Sequence, residues 1–119
     1  MQDFRQLQVR QRSHELTKAV CRSTRAFPTV ERYGLTSEMR RSAVSIPENI
    51  AEGCCRSGDV EFARFLQIPM GSASELEYYF VLGRDLGLLV IEEYDRLVGT
   101  LGEAKRMLAS LIHRLKADS

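Results

Sequence analysis

The sequence predicts an all-α protein, an antiparallel up-down-up-down four-helix bundle, and three observations carry that prediction. Apolar residues recur at helical spacing in four successive stretches. No stretch shows the alternation of a half-buried strand. The connectors between the stretches are short, so consecutive helices are expected to fold back on one another. At 119 residues the chain reads as a single domain, 1–119, long enough to bury about two thirds of the surface its unfolded form exposes. With 44% hydrophobic residues, 28% charged residues and only three prolines, the composition is that of a globular protein and excludes disorder.

The first helix is read over residues 7–27, where Leu16, Ala19, Val20, Ser23 and Phe27 share a stripe and Pro28 supplies the stop. A turn-rich connector with Tyr33-Gly34 leads to a cap at Thr36 or Ser37. Met39, Ala43, Ile46 and Ile50 then mark the second helix, which Gly53 is placed to end in a left-handed conformation. Pro47 lies inside it, lacking an N–H and crowding the carbonyl of Ala43.

Ser57 is the capping hydroxyl of a long third helix, with Asp59 and Glu61 favoured by its dipole. Its stripe runs Phe62, Phe65, Leu66, Pro69, Ala73, Leu76, Phe80 and Gly83, so the phase holds across Pro69 and predicts a kink within one helix. Gly87 supplies the stop. A second stripe of Tyr79, Leu82 and Leu86 fits either a subunit interface or a central place in the monomer. The fourth helix, residues 92–116, carries Tyr94, Leu97, Val98, Leu101, Ala104, Leu108, Leu111, Ile112 and Leu115 on one face.

Chemistry is easier to exclude than to assign. A di-metal bundle site needs Glu-x-x-His repeats, but Gln11 precedes His14 and Ser110 precedes His113 at that spacing. Glu75 and Glu77, two apart on a helix, do not pair as carboxylates. Nucleophile-elbow, phosphate-loop and zinc-helix motifs are absent, so the expectation is a non-enzyme with no cofactor and no metal. Cys21, Cys54 and Cys55 fit neither a disulfide framework nor C-x-x-C spacing. They read as reduced small hydrophobes, with a thiol sensor helped by Arg56 as the alternative. Residues 1–5 lack the apolar core of a secretory signal and no run has the length of a membrane span, so the expected compartment is the cytoplasm.

Charge is nearly balanced at +1 but unevenly spread. Residues 1–64 hold 11 Lys and Arg against 8 Asp and Glu, and residues 65–119 hold 6 against 8. Arg22, Arg25, Arg40, Arg41, Arg56 and Arg64 therefore compete between two readings: a common face for nucleic acid, or ordinary ion pairs such as Glu38 with Arg41 and Glu61 with Arg64. Asn49 and Glu52 likewise either bond backbone groups freed by Pro47 or cap the helix starting near Ser57, or else belong to a partner surface. The small run Gly71-Ser72-Ala73-Ser74 is expected to allow close approach to Ser42, Ala43 and Ala51 of the second helix.

Residues 40–89 also carry a recognisable pattern. Arg41, Ser45, Ile46, Pro47, Asn49, Ile50, Ala51, Glu52 and Gly53 match R-x-x-x-S-I-P-x-N-I-A-E-G, and Glu61, Phe62, Arg64, Phe65 and Leu66 match E-F-x-R-F-L. Gly71, Ser72, Glu75, Leu76 and Glu77, then Leu86, Gly87 and Leu89, complete it. The chain thereby resembles the small bacterial four-helix-bundle proteins named for intervening sequences in 23S rRNA genes. That resemblance implies a ring-shaped homopentamer. The related accessory proteins of diversity-generating retroelements further imply binding of RNA or DNA, and of a reverse transcriptase, through basic surfaces. Ser45, Pro47, Asn49, Glu52, Gly53, Gly71, Ser72, Glu75 and Glu77 are then motif positions of structural or partner-binding role. The alternative is a protein-interaction scaffold or adaptor that binds no nucleic acid.

Overall fold

The four apolar stripes form the interior of an all-α fold, seen in a computed structural model that describes residues 4–118. Residues 1–3, part of the segment read above as lacking a secretory signal, and residue 119 lie outside the described residues. The helices are α1 (Phe4–Thr24), α2 (Leu35–Gly53), α3 (Gly58–Phe65), α4 (Gln67–Asp85) and α5 (Ile91–Asp118), with a 3-10 turn at Thr29–Glu31 between the first two. No strand occurs among the described residues. A helix rises about 1.5 Å per residue, so the 28 residues of α5 span about 42 Å and account for most of the molecule's 46 Å length.

α1 packs on α2 and α5, and α4 packs on the same two helices, so each long helix has two long neighbours around one core, while the short α3 packs mainly on α5. Leu16, Ile46, Ile50, Leu66, Leu76, Phe80, Leu101 and Leu111 fill that core and are fully buried. The stripe read for the third helix is all buried except Phe65, which is partly so. Val9, Ser13 and Thr24 extend the buried face of α1 beyond the residues its spacing had marked.

Several local expectations are corrected. The third helix is interrupted at Leu66, but that residue keeps helical dihedrals (φ −69°, ψ −7°) and the i−4 bonds run on through it, Leu66 N–H to Phe62 O at 3.0 Å and Met70 N–H to Leu66 O at 3.3 Å, so α3 and α4 are two segments of one helical path with Pro69 in the first turn of the second. α2, by contrast, runs unbroken through Pro47. Thr36 is buried within α2 and neither it nor Ser37 caps the helix; the Glu31 carboxylate accepts weakly from the Leu35 N–H at 3.5 Å instead. Ser57 makes no cap hydrogen bond either, and the turn into α3 is made by Gly58 at φ +81°.

Gly53 does not end α2 in a left-handed conformation. Its requirement is space, since a Cβ there would meet the Phe62 ring at 2.9 Å and the Phe65 ring at 3.2 Å. Gly87 does supply the expected stop: at φ +75° it lets the Leu88 N–H reach the Gly83 carbonyl at 2.9 Å, which closes α4 in a Schellman turn.

Candidate nucleic-acid interface

Pro47 fixes the polar chemistry of α2. Its absent N–H leaves the Ala43 carbonyl without a helical partner, and the Thr17 hydroxyl of α1 lies 3.1 Å from that oxygen while also bonding Ser13 O at 2.9 Å. Asn49 does not serve the freed carbonyl. Its amide donates to Ser45 O at 2.8 Å and to Ser45 Oγ at 2.9 Å, and Ser45 Oγ in turn meets Ser72 Oγ of α4 at 2.7 Å. Ser45, Asn49 and Ser72 thus form a seam between α2 and α4. No buried side-chain nitrogen or oxygen among the described residues lacks a hydrogen bond.

The small run on α4 meets that seam only in part. Ala73 is buried and Ser72 bonds α2, but Gly71 and Ser74 are exposed, and a Cβ on Gly71 would meet nothing within 4 Å. Close packing accounts for two of the four residues. Gly71 has no packing account in the monomer.

The arginines of α2 turn to opposite sides rather than to one face. Arg40 reaches α1, where its Nε donates to Thr24 Oγ1 at 2.8 Å and its guanidinium lies 3.5 Å from the Cys21 carbonyl, serving a C-terminal carbonyl of that helix. Arg41 reaches α4, with Glu75 at 2.8 Å and Glu38 at 3.3 Å. Hydrogen bonds to Glu75 and then Glu38 hold its guanidinium even more firmly protonated than usual. The Arg41 bond and then the Tyr79 hydroxyl, at 3.1 Å, hold the Glu38 carboxyl below its ordinary range.

At the other end of α2, Arg56 pairs with Glu52 at 3.3 Å and lies over the Phe65 ring, 4.2 Å from its centre. It does not serve the cysteines. Cys54 is half-buried, its sulfur accepts from the Gln6 amide, and burial pushes its thiol up, opposite to an activated thiolate. Cys21, Cys54 and Cys55 are free. Arg64 pairs with Glu61 at 2.8 Å, and Glu77 pairs with Lys105 of α5 at 3.2 Å. Both arginine ion pairs expected from three-residue spacing are therefore formed.

Arg22 and Arg25 differ. Both are exposed, and neither side chain makes a hydrogen bond or ion pair with a described residue. Arg32, which spacing arguments on helices had no reason to select, joins them on the connector between α1 and α2, beside an exposed Tyr33. Thr17 and Arg32 are the residues that sequence reasoning missed, and Tyr79, read there only for its place on an apolar stripe, donates to Glu38. Only Thr17 had a signal, because a proline within a helix creates an acceptor that some donor must meet.

Among the described residues no three His, Cys, Asp or Glu side chains are grouped to hold a metal ion, and no helix is long and apolar enough to cross a membrane. Comparison with solved structures finds a protein of unknown function from the S23 ribosomal protein family of Bacteroides thetaiotaomicron VPI-5482. It superimposes with a TM-score of 0.83 at 22% identity, over 92% of this chain and 99% of that one. At that identity the likeness concerns the fold. No curated protein sequence matches the chain. Residues 5–110 match the family described as 23S rRNA-intervening sequence protein, so the chain belongs to that family.

Proposed function

We propose that the protein is a non-catalytic cytoplasmic scaffold, an antiparallel up-down-up-down bundle that assembles into a homopentameric ring and binds RNA or DNA through its unmatched arginines. The observation that carries this reading is the division of the basic residues. Arg41, Arg56 and Arg64 are matched by carboxylates and Arg40 by acceptors on α1, whereas Arg22, Arg25 and Arg32 have no such partner among the described residues. Unmatched cations release counterions from phosphate when they bind it, and repetition around a ring multiplies the contacts.

The antiparallel arrangement is supported by partner pairs whose numbers fall on one helix as they rise on the other, as in Glu38 with Tyr79, Arg41 with Glu75 and Ser45 with Ser72. Assembly is supported by the outer face of α4, where Ile68 and Tyr78 are about half exposed and Gly71 is open. A second reading, a protein adaptor for a partner such as a reverse transcriptase, is favoured by the exposed Leu86, Val90 and Ile91 between α4 and α5.

Binding of the purified protein to labelled structured RNA and duplex DNA across a salt series, with the particle mass measured by light scattering, tests the proposal. Micromolar or tighter binding that weakens steeply with salt, by a pentamer-sized particle, is expected. No binding even at low salt leaves the adaptor reading in its place.

A further inference from the structure

The connector between α1 and α2 is built as a platform. Phe27 and Leu35 are buried at its two ends and anchor it to the core. Between them the backbone is closed by N–H bonds from Phe27 to Thr24 O at 3.1 Å, Glu31 to Pro28 O at 2.9 Å, Arg32 to Thr29 O at 3.0 Å and Gly34 to Glu31 O at 3.1 Å. A chain held at so many points leaves its backbone little freedom to lose on binding.

What it presents is basic and aromatic. Tyr33 is 90% exposed, the most open of the large hydrophobic side chains, and Arg32 is its neighbour in sequence. Arg25 stands at the far end of the same connector and Arg22 one turn earlier on α1. The only acid of the segment, Glu31, is half-buried and turned toward the Leu35 N–H. Glu93 of α5, which meets Ser23 of α1, is occupied by that hydroxyl and by Arg96 at 3.0 Å. Neither carboxylate is left to match the three arginines.

An exposed ring on the same connector as unmatched arginines suits one polyanion better than others. Phosphates need only the cations, and an acidic peptide also needs only the cations. A solvent-facing aromatic gains about 1–3 kcal/mol by stacking on a base, and only an unpaired base offers its face. We propose that this connector binds unpaired nucleotides of RNA or DNA, the Tyr33 ring stacking on a base while Arg25 and Arg32, with Arg22 behind them, hold the adjoining phosphates. The inference rests on the nucleic-acid reading above and goes further by assigning the residues and the strandedness of the ligand.

Fluorescence anisotropy with labelled oligo-uridine, a duplex of similar length and polyglutamate as competitor tests it, on the full chain and on Tyr33→Ala, Tyr33→Phe and Arg25→Glu/Arg32→Glu. Because all three side chains are exposed, a melting curve for each variant should match the parent. Tyr33→Ala is expected to weaken oligo-uridine binding about five- to a hundred-fold while Tyr33→Phe stays near the parent and duplex binding barely moves. The double reversal should weaken both nucleic acids and lower the salt dependence. Oligo-uridine binding indifferent to Tyr33, or displaced as readily by polyglutamate, overturns the assignment while leaving a nucleic-acid function standing. Absence of binding to either nucleic acid overturns both.

Discussion

Arg40 and Arg41 lie on a helix with neighbours on both sides, and each side supplies acceptors: Thr24 and Cys21 from α1, Glu75 from α4. Arg25 and Arg32 lie on a connector with solvent beyond it, and its one carboxylate, that of Glu31, is half-buried beside the Leu35 N–H. The residue type is the same in both places, yet in the first it joins helices and in the second it is available to a ligand. Arginine content along the chain is therefore a poor guide to a binding face unless the packing around each guanidinium is known. Acceptors that lie 16 to 34 residues away decide the matter.

Like truncations in the two regions should differ most. Ile46, fully buried against the core, should lose about 2–5 kcal/mol of stability on change to alanine. Val30, 86% exposed on the connector, should move stability by less than about 0.5 kcal/mol. Chemical denaturation of the two variants checks both, and a connector that proved as costly as the core would mean that it is covered by something in solution.

A smaller effect is expected at the α1–α2 contact that accommodates Pro47. Thr17→Val keeps the shape but removes the donor to the Ala43 carbonyl, leaving a buried acceptor unmade at a cost of about 1–3 kcal/mol, which Thr17→Ser should largely restore. Equal stability of Thr17→Val and the parent would mean that the proline is tolerated without that bond.

The smallest effects concern titration of the α2–α4 contact. Glu38 is held below its ordinary 4.5, so its charged form is favoured by the fold. Its contribution is present above pH 4.5 and is lost as pH falls through the lowered folded value. Tyr79 behaves oppositely. Burial, and then its bond to Glu38, raise the phenol above 10.0, so its contribution is complete below pH 10.0 and is lost as pH rises through the raised value. Melting temperature against pH should show a shallower acid decline in Glu38→Gln and a shallower alkaline decline in Tyr79→Phe.

Much of the fold was legible because helical periodicity records burial directly: the stripes of Met39, Ala43, Ile46 and Ile50, and of Leu97, Leu101, Leu108 and Leu111, are the core. Where the sequence misled, a long-range contact had decided a local choice. Gly53 reads as a helix stop, but the rings of Phe62 and Phe65 from the following helix determine its role. Pro69 reads as a kink within one helix, but the interruption falls three residues earlier, at Leu66, and leaves Pro69 in the first turn of α4. The candidate site was the least legible part. Arg22 and Arg25 were found with four arginines that have structural bonds, and Arg32 and Tyr33 lie on a turn that carries no periodicity at all.

The most direct test of the account compares the melting temperatures of two double reversals, Arg40→Glu/Arg41→Glu and Arg25→Glu/Arg32→Glu. Loss of the charged hydrogen bonds of Arg40 alone is worth about 1.5–3 kcal/mol, which at about 4 °C per kcal/mol predicts a drop of about 6–12 °C for the first variant. The second should melt within about 2 °C of the parent, because its arginines make no bond that folding relies on. Equal melting temperatures for the two variants would contradict the division of the arginines into those that join helices and those left for a ligand.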